Sequence, residues 1–156
     1  MQSDLFRLFD LYTLLRGYIL HVNISLFIIS LLPAHRETDA YIVAQCLLTE
    51  GEIRVLLPLL DFPSCCPQEV LKTSYDCTYE FLLQSLPLSK VNPAWDNLVQ
   101  TQRECLHLAQ AQKAMRTEMR GVYNALSGLR QKLSPLGLAI RVHRDGYCLV
   151  SLMERS

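Results

Sequence analysis

The segment Leu129–Val150, LRQKLSPLGLAIRVHRDGYCLV, changes its hydrophobic period from that of a helix to that of a strand within one turn. Ser134-Pro135-Leu136-Gly137 stops the helix, because proline cannot extend its hydrogen bonding and glycine accepts the backbone that follows a helix end. In LAIRVH, Leu138, Ile140 and Val142 alternate with other residues, so they point inward from a half-buried strand. Arg144-Asp145-Gly146 supplies a tight turn, and YCLVSL returns as the partner strand. A helix feeding directly into a hairpin requires a mixed α+β fold.

The helix before this junction is expected over 118–133, after a break near Met115–Thr117 with Thr117 as its cap. In RGVYNALSGLRQKL, Val122, Leu126, Leu129 and Leu133 form one apolar face. Arg120, Tyr123, Asn124, Ser127, Arg130 and Lys132 occupy the others. A cationic, hydrogen-bonding outer surface on such a helix suits a DNA major groove, and it equally suits plain solvation.

Toward the N-terminus the patterns alternate between the two periods. Residues 3–16 read as an amphipathic helix: Leu5, Leu8, Tyr12 and Leu15 make a row, Phe9 and Leu11 widen it, and Ser3 is the cap. Tyr18–Leu32 is too short and too polar to cross a bilayer, and the first ten residues do not form a signal peptide. Its alternation makes it one half-buried strand, with Leu20, Val22, Ile24, Leu26 and Ile28 on one side. A turn over Pro33–Asp39 and a second strand, Ala40–Leu48, complete an antiparallel hairpin.

Thr49 and Glu52 form a capping box for a helix burying Ile53, Leu56, Leu57 and Leu60, with Pro58 expected to kink or end it. Val70 and Leu71 anchor a short helix after the Pro63–Pro67 break, and 77–88 is helical up to Pro87. Asn92-Pro93 opens a longer helix whose packing stripe reads Trp95, Leu98, Thr101, Cys105, Leu108 and Ala111.

The 156-residue chain is 50% hydrophobic and 19% charged, which supports a sizeable core. Its net charge of zero divides into −5 over residues 1–102 and +5 over 103–156, a local excess that suits a polyanionic partner and equally a chance asymmetry across a solvated surface. The six cysteines lack metal-site spacing and read as reduced, mostly buried small hydrophobes of a cytoplasmic protein. His21, His35, His107 and His143 are scattered, and no nucleophile motif, phosphate loop or metalloprotease motif occurs. No enzyme activity, metal or cofactor is therefore expected.

Three stretches carry a family resemblance: LLTEGEIRVLLPLL, RGVYNALSGLRQKL and IRVHRDGYCLV. Together they resemble the winged helix-turn-helix effector domain of OmpR/PhoB-type regulators and their ToxR/CadC-like relatives, over about 19–76 and 116–152. The resemblance implies an α+β winged helix with N-terminal antiparallel strands, a C-terminal hairpin wing and extra helices. On that reading residues 1–17 precede a winged-helix domain at 18–156, which carries a helical insertion at about 77–115. It also implies sequence-specific double-stranded DNA binding and transcription regulation without a receiver domain. Arg120, Tyr123, Asn124, Ser127, Arg130 and Lys132 would act from the recognition helix, and Arg141, His143 and Arg144 from the wing. Ser127 and Gly128 stand where the family carries a cation, and His143-Arg144 stands where it carries Arg-Gly. These departures imply altered base readout with phosphate contacts retained. A protein-interaction module of the same fold remains open, with helices 3–16 or 93–114 mediating self-association or a partner complex.

Overall fold

The computed structural model describes residues 6–10, 15–34 and 42–152. Strands β1 (Phe6–Asp10), β2 (Tyr18–Asn23), β3 (Ile28–Pro33) and β4 (Ala44–Leu47) form an antiparallel sheet in sequence order. Helices α1 (Glu50–Asp61), α2 (Gln68–Asp76), α3 (Tyr79–Ser85), α4 (Pro93–Ala111), α5 (Met115–Glu118) and α6 (Arg120–Leu133) follow. A 3₁₀ turn at Ser134–Leu136 leads into the hairpin β5 (Leu138–His143) and β6 (Gly146–Ser151). The architecture is thus mixed α+β, with an antiparallel four-stranded sheet and a C-terminal hairpin.

The N-terminal helix expected over 3–16 is replaced at Phe6–Asp10 by a strand paired with β2. Phe6 and Leu8 alternate with Arg7 and Phe9, a period of two that the leucine spacing obscured. The expected Ser3 cap, residues 11–14 and most of the turn over 33–39 lie outside the described residues. Tyr18–Leu32 is also two strands rather than one. A turn at Ile24–Phe27, with Phe27 at φ 59°, reverses the chain and shifts the buried parity from Leu20 and Val22 to Ile29 and Leu31. Leu26, expected inside, is exposed at that turn. The described part of the expected 40–48 strand pairs over Ala44–Leu47.

The sheet's inner residues join α1 and α6 in one core: Leu20, Val22, Ile29 and Leu31 with Leu56, Leu57, Leu126 and Leu129. Each buried leucine contributes ~1.5–3 kcal/mol, against ~0–1 for an exposed ion pair, so these rows dominate the fold. The Thr49–Glu52 capping box forms as expected, and α1 buries Ile53, Leu56, Leu57 and Leu60. Pro58 does not end α1. Its missing N–H frees the Arg54 carbonyl, and the Ser74 hydroxyl of α2 donates to that oxygen instead. The ion pair of Arg7 with the buried Asp61 (2.9 Å) ties β1 to the end of α1.

Asn92 caps α4 as its sequence predicts, but the stripe that packs is Trp95, Val99, Leu106 and Ala109. Leu98 and Leu108, expected in that stripe, are 39% and 59% exposed. α4 lies along α2, fastened by Arg103 to Glu69 (3.4 Å) and Gln102 to Asp76 (3.3 Å). The expected break at 115–117 is the short α5, and Met119 rather than Thr117 stands at the cap position of α6.

Candidate nucleic-acid interface

Helix α6 buries Val122, Ala125, Leu126, Leu129 and Leu133 against α1 and the hairpin. Gly121 lets the helix meet α2: a Cβ there would lie 2.8 Å from the Tyr75 ring. The opposite side exposes Arg120, Asn124, Ser127 and Gln131. Their spacing of four, three and four places them in one line along the helix. Arg116, Arg120, Tyr123 and Asn124 border a shallow open depression at the helix start. Arg116 belongs with this group although its segment reads as a break in the sequence. Its spacing of four from Arg120 is the signal that identifies it.

Lys132 does not join this line. Its ammonium donates to Glu52 Oε1 at 2.6 Å, and the same carboxylate oxygen accepts the Thr49 amide of the α1 capping box at 2.9 Å. Gly128 makes the arrangement possible, because a Cβ there would run into Glu52 Oε2.

The hairpin extends beyond its own two strands. Cys66 and Tyr147 exchange backbone hydrogen bonds of 2.6 and 2.9 Å, so the connection before α2 pairs with β6. Gly146 is needed there because a Cβ would collide with the Cys66 carbonyl. The Tyr147 side chain is buried where β6 meets the segment before α2. Burial, and then Tyr123, push its pKa up, while Gln68 and Arg130 oppose the shift. Tyr147 stands in the Asp-Gly-Tyr stretch of the wing motif, whereas the sequence did not single out Gln68.

Leu138 and Ile140 point inward as their alternation predicts, but Val142 is 66% exposed because the hairpin tip extends past the core. Arg141, His143 and Arg144 are exposed on that tip, and His143 Nδ1 accepts the Asp145 amide at 3.4 Å. A groove lined by Gln68, Glu69, His143, Arg144 and Asp145 separates the tip from the start of α2. Among the described residues, Arg116, Arg120, Arg130, Arg141 and Arg144 form no ion pair. These guanidiniums are available to an anion.

Among the described residues no cluster of His, Cys, Asp and Glu is arranged to hold a metal ion, and no helix is long and apolar enough to cross a membrane. Comparison with protein families, curated proteins and solved structures finds no match for the chain.

Proposed function

We propose that the chain is a winged-helix protein that binds double-stranded DNA sequence-specifically and regulates transcription. One observation carries the reading: Arg120, Asn124 and Ser127 are exposed in one line on α6 and Arg141, His143 and Arg144 are exposed on the hairpin that packs on α6, while the long inserted helix α4 packs on α2. A major groove is about 12 Å wide and admits a helix. Arg120, Tyr123, Asn124 and Ser127 face base edges, Arg130 lies at the junction with the wing, and Arg141, His143 and Arg144 contact backbone. Lys132 is bound to Glu52 and supports the helix instead.

Electrophoretic mobility shift with selected DNA tests this. The wild type is expected to hold its selected site at moderate salt, and Arg120→Ala with Arg130→Ala to lose it. Equal low-salt binding by both proteins, with none at moderate salt, overturns the reading.

A second reading, a protein-interaction module of the same fold, draws on the outer sheet face, where Phe6, Leu8 and Leu47 are 57%, 54% and 64% exposed. Phe6 and Leu8 lie on one edge strand of that face and Leu47 on the other, and exposed apolar side chains on sheet edges favour a protein contact. Copurification of a stoichiometric protein free of nucleic acid would support it.

A further inference from the structure

The sequence PSCCP at 63–67 holds two adjacent cysteines that the structure separates. Cys66 is fully buried and faces the core, and burial raises its thiol far above the ordinary range. Cys65 is carried on the other side of the segment by the alternation of extended backbone.

The backbone bonds fix what Cys65 faces. Cys66 and Tyr147 exchange both bonds, so they are a hydrogen-bonded pair of an antiparallel bridge. The bridge is isolated, and the positions next to it are Cys65 on the loop and Cys148 on β6; in a regular ladder such a non-hydrogen-bonded pair has Cα atoms about 4.5 Å apart. Leu149 N–H then donates to the Pro63 carbonyl at 3.3 Å, so the loop side holds one extra residue and Ser64 and Cys65 together face Cys148. Disulfides span Cα separations of about 4.4–6.8 Å, a range that begins at the regular ladder spacing and leaves room for the extra residue. Burial, then Asp145 and then Cys148, raise the Cys65 thiol above its ordinary value.

We propose that Cys65 and Cys148 are a redox-modifiable dithiol that closes into a disulfide when a low-molecular-weight disulfide such as oxidised glutathione is the oxidant. The Cys65 thiolate attacks one glutathione sulfur, forming a mixed disulfide and releasing one glutathione thiolate. The Cys148 thiolate then attacks the Cys65 sulfur, forms the cross-link and releases the second glutathione thiolate. Two protein thiols lose two electrons, the glutathione disulfide gains them, and the two protons pass to the released thiolates. The bond fixes the connection before α2 to strand β6. Cys148 pairs on its other side with Arg141, so the staple lies one strand from an exposed arginine of the hairpin. It requires no particular partner for the α6 face, and its test is separate from DNA binding.

The full-length protein is treated with oxidised glutathione, alkylated, and mapped by tandem mass spectrometry. Two of its six thiols should become unavailable, joined as a Cys65–Cys148 cross-linked peptide, and dithiothreitol should restore both. Cys66→Ala should keep the link, removing ambiguity from the adjacent residue. Cys148→Ser should instead trap one glutathione on Cys65. Glutathione held on Cys65 of the wild type without a cross-link overturns the proposal, as does a link that joins any other pair. The wild-type map decides the matter if a variant does not fold.

Discussion

Lys132 near the end of α6 and Glu52 in the first turn of α1 form a 2.6 Å ion pair over the flat surface of Gly128. The contact joins a helix cap to the candidate DNA helix through one half-shielded ammonium and one buried carboxylate. A side chain at Gly128 would have to displace that carboxylate, although a glycine inside a helix is ordinarily a weakness.

Gly128→Ala should therefore run against the usual trend. In an exposed helix interior that change stabilises by ~0.5–1 kcal/mol. Here the new methyl must displace the Glu52 carboxylate, so overpacking should destabilise by ~1–3 kcal/mol. Urea denaturation of both proteins measures the sign, and a more stable Gly128→Ala would show that Glu52 moves aside freely.

The same pair separates cations that support the fold from cations that meet DNA. Arg141→Ala and Arg144→Ala should each lower the slope of log affinity against log salt by ~1, with unfolding curves nearly unchanged. Lys132→Ala should do the reverse, leaving the slope and lowering stability. Binding across a salt series with matched denaturation curves gives both quantities, and an unchanged slope in all three variants would remove the arginines from the interface.

Much of the helical half was legible because its signals are local. The Thr49–Glu52 box, the Asn92 cap and the Val122–Leu133 row each depend on residues within one or two turns. Legibility failed where a distant partner decides. Trp95 lies on both the expected and the observed stripe of α4, so only the packing of α2 settles that Val99 and Leu106 are covered and Leu98 and Leu108 are not. Phe6–Asp10 satisfies both periods until its pairing with β2 is known. In the candidate site, the exposure of Arg120, Asn124 and Ser127 follows from helical spacing. The withdrawal of Lys132 does not, because its partner is 80 residues away.

Ser74 makes a repair that can be measured. Its hydroxyl satisfies the Arg54 carbonyl that Pro58 leaves without a donor, and Ser74 is fully buried. Ser74→Ala should cost ~1–3 kcal/mol, the penalty of a buried polar group left unpaired. Pro58→Ala in that background should recover part of the loss by restoring a helical N–H. If denaturation midpoints show no recovery, the carbonyl is satisfied in another way.

Tyr79 provides an alkaline test of how the sheet joins the helices. Its hydroxyl donates to the Ile24 carbonyl at 2.9 Å, and burial, then Glu50, raise its pKa from 10.0 to about 12 against the opposing Arg54. The folded state therefore favours the neutral phenol. Its contribution is complete below pH 10.0 and is lost as the pH rises toward about 12, since the unfolded chain releases this proton first. Tyr79→Phe should cost roughly 1 kcal/mol near neutrality through the lost hydrogen bond. The stability gap between wild type and Tyr79→Phe should then narrow across that alkaline window. Chemical denaturation of both proteins as a function of pH measures the gap, and a constant difference up to about pH 12 would mean that the phenol is not held neutral at this junction.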